Sequence, residues 1–500
     1  MKVLLVNPEF PDTYWSFRHA LPFEGKRSVF PPLGLLTVSG LMPRSVERKL
    51  VDLNVQRLKP SHIEWADMVF ITGMLAQKQS LHKVVSLCKE RGKRIVLGGP
   101  YVTSTIEPLP HADHIFQGEA ETTLPEFFND LEKGETKRIY KATERPPMSI
   151  APAPDFELID FDKYSCMSVQ YSRGCPFSCE FCDIIEIYGR VPRTKSSSQM
   201  LTEFDALRRR GWRGPVFIVD DNFIGNKKNV RTLLPDLGAW QKKNGYPFSL
   251  LTEASVNLAD DDDLLVSMKE AGFRRVFLGI ETPVEESLKE AQKSQNRGNL
   301  LNAVRNIQNH GMEVMAGFIV GFDNDPDDIF ERQIDFIRES AIPMAMVGML
   351  NALPDTQLWK RLEREGRLLG EDATGNNTIS TVNFVPKMDV ERLVAGYQRI
   401  MKTIYKPSEY YQRALDSLTR TPQDSHEAHQ YKGLKAVTTF VRLAFTLGII
   451  DNERREFWRF FLCAVREHRD RMTELLRHAA MGYHFRKLNE SYGDQYLQEV

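Results

Sequence analysis

Three cysteines stand close together in the middle of the sequence, and their spacing is that of a metal site. The segment reads Tyr171-Ser-Arg-Gly-Cys175-Pro-Phe-Ser-Cys179-Glu-Phe-Cys182. Cysteine thiolates are the usual protein ligands of iron–sulfur clusters. Three thiolates on a four-iron cluster leave one iron without a protein ligand, and an open position on a metal is where a substrate or cosubstrate coordinates. The segment therefore predicts a cluster with one iron free for chemistry.

Two other interpretations of these cysteines are weaker. A structural zinc site needs a fourth cysteine or histidine at ligand spacing, and the nearest histidines are His114 and His310. Cys166 is closer in sequence and remains a candidate, although its spacing fits no usual zinc loop. A chance cluster is remote, because the whole chain of 500 residues has six cysteines.

Composition excludes several classes of protein. Sixty-six basic and 67 acidic residues nearly cancel, which argues against a nucleic-acid-binding protein. Sparse, clustered cysteines indicate a metal site in a reducing cytoplasm rather than a disulfide framework. The apolar run at 3–6 is too short for a signal peptide. No stretch approaches the roughly 20 apolar residues of a membrane span, since the longest candidate, 433–450, contains Lys435 and Arg442. We therefore expect a cytoplasmic protein without a transmembrane segment.

Residues 1–145 alternate short apolar runs with helical patterns, which predicts a Rossmann-like, doubly wound parallel sheet. Loop-forming residues follow the predicted strands, and ligands of such sheets bind beyond the carboxyl ends of the strands. The strands are predicted at 3–6, 49–55, 68–73, 94–98 and 114–117, and the helices at 31–42, 81–93 and 124–131.

A second α/β series begins near residue 166, after a proline-rich segment, 146–165, that we interpret as a linker. Six strands separated by helices predict a partial (βα)6 barrel of the TIM type over 166–360. Polar residues at the strand ends, such as Asp221 and Glu281, mark the catalytic face of such a barrel. The strands are predicted at 168–172, 216–220, 248–254, 275–280, 313–320 and 345–350, and the helices at 197–210, 230–244, 259–271, 285–292, 300–310 and 326–340.

Residues 361–500 predict a mainly helical C-terminal domain. Phe457, Phe460 and Phe461 recur at helical spacing among arginines such as Arg454 and Arg459. We favour core packing for the aromatic residues, with the arginines on the solvated face. The alternative is an apolar, basic surface beside a lipid or a membrane, which would place the protein peripherally on a membrane.

The cysteine motif, Cys-x3-Cys-x2-Cys with the aromatic Phe181 before its last cysteine, resembles the signature of the radical S-adenosylmethionine (SAM) superfamily. The resemblance extends over the barrel, 166–360. It implies a [4Fe-4S] cluster on Cys175, Cys179 and Cys182, with SAM chelating the open iron. Reduction of SAM then gives a 5′-deoxyadenosyl radical that abstracts a hydrogen atom from substrate. The implied electron donor is a protein such as flavodoxin or ferredoxin.

The same resemblance implies SAM contacts on one barrel strand. Gly317-Phe-Ile319-Val-Gly321 is similar to the strand that contacts adenine, where glycine lets a flat base approach the backbone. In this sequence Asn324 stands where an acidic residue often follows. Because a pair of glycines is a weak signal, an ordinary buried strand remains the alternative.

Three acidic residues are further implied SAM contacts. Glu281, in Gly279-Ile-Glu281-Thr282, resembles the family carboxylate near the SAM ribose, where it can accept two hydroxyl hydrogen bonds. Asp221 is expected in the site, with a helix N-cap as the alternative role of its segment. Glu253 meets either the SAM ammonium group or solvent.

The N-terminal domain resembles the cobalamin-binding domain of cobalamin-dependent radical SAM enzymes, through Asn7-Pro8, Pro31-Pro32-Leu-Gly34, Gly98-Gly99-Pro100 and Gly118-Glu119-Ala-Glu121. The Asp-x-His-x-x-Gly motif of other cobalamin proteins is absent from 1–145, since Asp113-His114 has the wrong spacing. We expect cobalamin without a histidine on cobalt; an empty, vestigial domain is the alternative. The implied cobalamin contacts are Gly73, Met74, Gln77, Gly98, Gly99, Tyr101, Gly118 and Glu119.

The tail segment Gly482-Tyr-His-Phe-Arg486 resembles the C-terminal domain of a subgroup that includes hopanoid and bacteriochlorophyll methylases. The resemblance implies methylation of an unactivated carbon in a small-molecule or lipid substrate. A radical SAM oxidoreductase, cyclase or rearrangement enzyme is the alternative, and a structural metal clip in a binding protein is a third. Tyr14 and Trp15 are candidates to reach the active site. The sequence predicts neither the substrate nor the oligomeric state.

Overall fold

Two six-stranded parallel sheets follow each other along the chain, and helices complete it. The computed structural model describes residues 1–499 except 106–108, 110, 297, 371–373, 377, 379–380 and 423–433. The α/β fold class and the partial barrel are confirmed, and so is the mainly helical C-terminal region.

The N-terminal sheet has the strand order β2-β1-β3-β4-β5-β6, and every neighbouring pair is parallel. Apolar clusters cover both of its faces, as a doubly wound sheet requires. Its strands are β1 (Lys2–Asn7), β2 (Glu47–Asp52), β3 (Met68–Thr72), β4 (Arg94–Gly98), β5 (His114–Gln117) and β6 (Ile139–Lys141). Its helices are α1 (Leu21–Glu24), α2 (Leu33–Leu41), α3 (Pro60–Trp65), α4 (Lys78–Lys89), α5 (Pro100–Ser104) and α6 (Ala120–Lys133).

Strand β6 was not predicted from the sequence. It has three residues, of which Tyr140 alone is buried. A strand this short gives no alternation for a pattern to show, and its pairing with β5 depends on a long-range contact.

The proline-rich segment between the sheets is a packed connection. It consists of turns and three short 3-10 helices, and its Tyr164 hydroxyl donates to the buried carboxylate of Asp52 at 2.9 Å. The Ser39 hydroxyl likewise donates to Asp155 at 2.8 Å. These side-chain bonds attach the connection to the N-terminal sheet, so the barrel follows it in a fixed position.

The second sheet is an open barrel with the sequential order β14-β13-β12-β11-β10-β7. Each pair is parallel, so all six strands end at the same mouth. Its strands are β7 (Met167–Val169), β10 (Gly214–Ile218), β11 (Phe248–Ala254), β12 (Phe273–Glu281), β13 (Glu313–Val320) and β14 (Ala345–Met349), and a separate antiparallel pair is β8 (Ser172–Arg173) with β9 (Arg193–Thr194). Its helices are α7 (Ile184–Ile187), α8 (Ser197–Arg209), α9 (Lys227–Lys243), α10 (Asp262–Glu270), α11 (Glu285–Glu290), α12 (Leu300–Asn309) and α13 (Ile329–Ser340).

The strand predicted at 168–172 is in fact two strands, so that boundary was wrong. The carboxylate of Asp220, at the end of β10, accepts hydrogen bonds from the Tyr171 backbone N–H and the Ser172 hydroxyl, both at 2.7 Å. These bonds draw the chain out of the sheet after β7. Strand β8 then pairs with β9, and the two strands hold the ends of the cysteine loop.

Helices make up most of the chain after the barrel. A helix begins at Gln357 and crosses the domain boundary that we expected at 360/361. Among the described residues, no helix is both long enough and apolar enough to cross a membrane. The helices are α14 (Gln357–Arg364), α15 (Val390–Ile404), α16 (Pro407–Arg420), α17 (Leu434–Phe445), α18 (Arg454–Glu467) and α19 (Met472–Glu499).

Candidate active site

The cysteine loop lies between β8 and β9, at the mouth of the barrel. Its start is tight: Gly174 has φ +95°, and a Cβ there would lie 2.8 Å from the Gly189 carbonyl oxygen. The next N–H, of Cys175, donates to that same oxygen at 3.1 Å. Only glycine fits this approach without strain, so the loop conformation that presents the first thiol depends on Gly174.

Side-chain amides point at two of the thiols. Gln295 Nε2 lies 3.4 Å from the sulfur of Cys179, and Asn222 Nδ2 lies 3.8 Å from the sulfur of Cys175. Hydrogen bonds to cluster sulfurs help to set the reduction potential of an iron–sulfur centre. The amides are therefore placed as the outer ligand environment of a cluster.

Burial favours the neutral, protonated form of two of the cysteine thiols when no metal ion is bound. Burial raises the pKa of Cys175 and of Cys182, and Asp183 raises the pKa of Cys182 further. Without a cation these groups are thiols; bound iron supplies the positive charge that makes thiolates stable in a buried position.

A single metal ion is a poor fit for the loop. Within the described part of the chain, no group of three histidine, cysteine or acidic side chains is arranged to hold one ion. Thiolates of a four-iron cluster bind three different irons and so lie farther apart than the ligands of one ion. Cys166, the candidate fourth zinc ligand, is buried before β7, where its N–H donates to Val29 at 2.9 Å. That is the opposite end of the barrel strand from the loop.

Beside the loop, Asp220, Asp221, Glu253 and Glu281 cluster at the ends of β10, β11 and β12, and we call this cluster the acidic pocket. Burial raises the pKa of Glu253 to about 8, and the charges of Asp221, Asp220 and Glu281 add to the shift. Burial, then Asp220 and Asp183, raise the pKa of Asp221 to about 7. Carboxylates crowded in this way are stabilised by a cationic ligand. SAM carries an ammonium and a sulfonium group, so the pocket fits it in charge.

One cation of the chain already lies in the pocket. Lys293 Nζ is 2.5 Å from the Glu281 carboxylate, and its distance to the centre of the Phe181 ring is 5.7 Å. Burial alone would lower the pKa of Lys293, but the charge of Glu281, followed by the interaction with Cys179, outweighs it and raises that pKa. Glu281 has φ +64° at the end of β12, a rare conformation for a side-chain-bearing residue.

The three consecutive polar residues after β10 have three different tasks. Asp220 holds the chain before the cysteine loop, as described above. Asp221 lies among the carboxylates of the acidic pocket, where burial and the charges of Asp220 and Asp183 raise its pKa. Asn222 donates towards Cys175 and accepts from the Ser255 N–H at 3.2 Å. No side-chain cap forms at the 3-10 helix that follows, so the alternative N-cap role of this segment is not what the structure shows.

The expected adenine strand is β13. A Cβ on Gly317 would lie 3.2 Å from the Phe277 ring, so glycine leaves room beside that ring. At the end of β13, Gly321 has φ +103°, and its N–H donates to Asp325 at 2.8 Å. The neighbouring Asp325 is acidic, and its carboxylate also accepts from the Phe322 N–H at 3.1 Å. Ile319 packs with Phe181 in one small apolar cluster.

The loops expected to bind cobalamin form the carboxyl edge of the N-terminal sheet. Gln77 is buried and donates to the Pro8 carbonyl at 2.6 Å, and Met74 is exposed. Gly99 has φ +95°, and a Cβ there would lie 2.0 Å from the Thr72 hydroxyl. Tyr101 is fully buried behind the edge. The other expected contacts on this edge are Gly73, Gly98 and Gly118.

Glu119, the last expected cobalamin contact, forms ion pairs that the sequence did not reveal. Its carboxylate binds Arg173 and Arg193, which are in β8 and β9. Arg173 also pairs with Glu121 at 2.8 Å. We call these four residues the inter-sheet clamp. It places the carboxyl edge of the first sheet against the strands that carry the cysteine loop.

Trp15 lies inside the barrel. Its ring stacks on Phe217 of β10 at 6.1 Å and meets Phe277 of β12 at 5.3 Å between centroids. The neighbouring Tyr14 hydroxyl donates to Val347 O of β14 at 2.8 Å. The loop after β1 therefore contributes to the barrel interior, and Trp15 contacts the ring that faces Gly317.

Comparisons with known proteins agree with this geometry. The model of the radical SAM superfamily matches residues 169–337, and a domain of unknown function, DUF4070, matches 356–497. An uncharacterised methyltransferase of Synechocystis is 45% identical over 83% of this chain and 78% of its own. Hopanoid C-2 methylase of Rhodopseudomonas palustris is 35% identical over 92% of this chain and 89% of its own.

Among solved structures, the cobalamin-dependent SAM radical enzyme OxsB, with aqua-cobalamin and SAM bound, matches all of this chain and 81% of its own at TM-score 0.62. With 16% identity, that match shows a common fold. The prediction of a radical SAM enzyme is confirmed, and its family cofactors are a [4Fe-4S] cluster and SAM. The chain belongs to the radical SAM superfamily, in the group that includes hopanoid C-2 methylase.

Proposed function

We propose that this enzyme methylates an unactivated carbon of a small-molecule or lipid substrate, using SAM, the cluster and cobalamin. The observation that carries the proposal is the inter-sheet clamp. Glu119 follows β5 of the first sheet, and Arg173 and Arg193 flank the cysteine loop at the mouth of the barrel. A cofactor on the edge of the first sheet would therefore face the mouth of the barrel, where reacting groups must be held in line.

Each bound group would have its own residues. Cys175, Cys179 and Cys182 would hold the cluster, and Asp221, Glu253 and Glu281 would hold SAM by charge and hydroxyl contacts. Phe181, Gly317, Ile319 and Gly321 would shape the SAM site. When bound, the cluster and SAM supply a hydrogen-abstracting radical, and cobalamin supplies the methyl group.

The protein's own contribution is placement and exclusion of water. Lys293 neutralises Glu281, so one carboxylate in the pocket has a fixed partner while Glu253 stays available for a cation. Trp15, Phe217 and Phe277 fill the barrel below the pocket with rings. A radical formed above them would meet apolar groups and not bulk solvent.

Cobalamin would be held without a histidine of the usual motif. His114 serves the core of the first domain: Nδ1 lies 2.7 Å from Lys137 O, and the ring packs on Phe127. The strand-end loops at Gly73, Gly98 and Gly118 are the proposed contacts, through their backbone. An electron donor of the flavodoxin or ferredoxin kind would reduce the cluster.

Product analysis tests the proposal. The reconstituted enzyme, incubated with SAM, reductant, cobalamin and a candidate substrate, should form 5′-deoxyadenosine and S-adenosylhomocysteine together. A radical SAM oxidoreductase or cyclase would form 5′-deoxyadenosine without S-adenosylhomocysteine, and that outcome would overturn methylation.

Cys179→Ala should abolish both products and the iron content. Cys166→Ala is the matched control, because Cys166 lies at the far end of β7, and should retain both.

A further inference from the structure

The C-terminal helices α17 and α18 carry an exposed apolar surface. A π-helical turn, Thr446–Ile450, follows α17 and leads to α18, and Phe440 stacks on Phe461 across the pair with 5.0 Å between ring centroids. The two helices therefore form a hairpin. We call its exposed apolar residues the hairpin surface; each is at least 56% exposed, and they are Val437, Val441, Phe445, Ile449, Ile450 and Leu462.

The hairpin surface is distinct from the face that packs into the protein. Phe457 and Phe460 of α18 are buried, with exposures of 1% and 2%. On α17, Leu443 is fully buried, whereas Val437, Val441 and Phe445 recur every four residues on another side. Core packing, the interpretation favoured from the sequence, therefore explains the buried phenylalanines of α18. It does not explain the exposed residues of the hairpin surface. Large apolar side chains exposed together mark an interaction site.

Positive charge accompanies the apolar residues. Helix α18 has four exposed arginines, Arg454, Arg455, Arg459 and Arg466, and two glutamates. Within the described part of the chain, none of the four arginines has an ion-pair partner within 4.0 Å. Residues 434–467 contain six basic and four acidic residues, whereas the chain as a whole has a formal net charge of −1, so the hairpin carries a small local excess of positive charge. Aromatic and aliphatic residues beside arginines are the composition of helices that lie in a membrane interface.

The positive charge also favours one of two possible partners for the hairpin surface, a second copy of this chain or a lipid bilayer. In a two-fold dimer the same patch meets itself, so the arginines of one copy would approach those of the other. On α18 the four arginines outnumber the two glutamates, so the net repulsion between copies opposes that contact. An anionic lipid surface instead offers phosphates to the arginines and acyl chains to the apolar residues. Trp458, 37% exposed beside the turn, is the kind of residue that prefers this boundary.

We propose that the hairpin surface docks the enzyme on the surface of an anionic lipid bilayer. The apolar side chains of α17, the turn and α18 enter the boundary between headgroups and acyl chains, and the arginines bind lipid phosphates. The protein lies on the membrane and does not cross it. This docking goes beyond the proposed methylation and does not depend on it.

Vesicle co-sedimentation of the full-length protein tests the docking without any activity assay. Vesicles of phosphatidylcholine with phosphatidylglycerol should pull down the wild-type protein, and pure phosphatidylcholine vesicles should pull down less. High salt should weaken binding to the anionic vesicles, because screening removes the arginine contribution. If the wild-type protein stays in the supernatant with anionic vesicles at low salt, the proposal is wrong.

Substitutions separate the apolar and charged contributions. Phe445→Ser, Ile449→Ser and Leu462→Ser together should weaken vesicle binding at least about tenfold, because three apolar side chains that would enter the bilayer are lost. The matched control combines Ile139→Ser, Ile150→Ser and Val266→Ser, which are also exposed but lie elsewhere, and should bind like the wild type. Equal loss in both triple variants would contradict the proposal.

The double variant Arg455→Glu, Arg459→Glu should abolish the preference for anionic vesicles, whereas Arg305→Glu on α12 should leave it unchanged.

Sedimentation velocity without lipid distinguishes a bilayer from a second copy of the chain as the partner of the hairpin surface. A wild-type dimer that the hairpin triple variant converts to monomer would show that a second copy, and not a bilayer, covers the surface.

Discussion

Glu119 and Arg193 form a buried ion pair between the N-terminal sheet and the β8–β9 pair, with 2.6 Å between Oε1 and Nη2. The second carboxylate oxygen of Glu119 is 2.6 Å from Nη1 of Arg173. The side chain of Glu119 is 4% exposed, and those of the arginines are 11% and 15% exposed. Because β8 and β9 begin and end the cysteine loop, this carboxylate couples the position of the loop to the first domain.

Glu119→Gln should destabilise the protein and loosen the cysteine loop. The substitution leaves Arg193 without its charge partner and Arg173 with Glu121 alone. Breaking a buried ion pair by removing one partner costs about 3–5 kcal/mol in other proteins. We expect a lower urea midpoint, measured on the reconstituted enzyme. We also expect broader electron paramagnetic resonance lines from the reduced cluster, because its environment would become heterogeneous.

Glu126→Gln is the control for that experiment. Glu126 pairs with Lys137 at 2.5 Å, but both side chains are about half exposed, at 45% and 57%. Exposed pairs contribute about 0–1 kcal/mol, so the midpoint should hardly move. Equal effects of Glu119→Gln and Glu126→Gln would show that the inter-sheet clamp does not hold the loop.

Gln295→Leu should make the cluster harder to reduce. The amide Nε2 donates to the Cys179 sulfur at 3.4 Å, and a donor stabilises the more negative, reduced cluster. Removing the donor therefore shifts the reduction potential to more negative values, which spectroelectrochemistry measures. Gln292→Leu is the matched control, because Gln292 donates to Gln357 on the exposed side, and its potential should equal that of the wild type. An unchanged or higher reduction potential in Gln295→Leu would show that the Gln295 amide does not stabilise the reduced cluster.

The sequence predicted the parts of the fold that local patterns determine. Strands β4, β5, β11 and β13 have the predicted bounds, because each is a short apolar run bounded by turn or polar residues. The three cysteines were likewise legible, since their chemistry lies in one loop. The cysteine loop could therefore be identified from a short stretch of sequence alone.

The surroundings of the cysteines depend on contacts between distant residues, which no single pattern shows. Gln295 lies 116 positions from Cys179 in the chain, and Arg193 lies 74 positions from Glu119. Lys293 follows no motif that would link it to Glu281. Glu119 was expected on the edge of the first sheet for a cofactor; its pairing with arginines could not be inferred before the two sheets were placed together.

Glu253→Gln should stabilise the protein without SAM while weakening SAM binding. Burial and neighbouring carboxylates raise the pKa of Glu253 from 4.5 to about 8, so the folded state binds more protons than the unfolded state between these values. Folding stability from this group is therefore full below the unfolded pKa and is lost as pH rises towards 8. Glutamine does not ionise, so the Glu253→Gln variant does not lose this stability as pH rises.

Thermal unfolding against pH measures the effect. The melting temperatures of wild type and Glu253→Gln should coincide near the unfolded pKa, and the variant should become the more stable as pH increases to about 8. SAM affinity, measured by calorimetry, should fall about tenfold, because a charge-assisted contact is lost. Glu285→Gln, at an exposed ion pair, should change neither quantity. A melting-temperature difference that is constant with pH would contradict the assignment.

Trp15→Ala should uncouple SAM cleavage from substrate modification. The ring fills the barrel between Phe217 and Phe277, and its removal leaves a cavity next to the ring that faces Gly317. Loss of a large aromatic side chain from a packed site costs about 3 kcal/mol. Loss of this packing would let the substrate move out of line with the radical, so the ratio of 5′-deoxyadenosine to methylated product should rise. Trp65→Ala is the control: Trp65 packs in the first domain, so the variant should lose stability without changing that ratio. If the ratio rises equally in both variants, general destabilisation and not the barrel interior explains it.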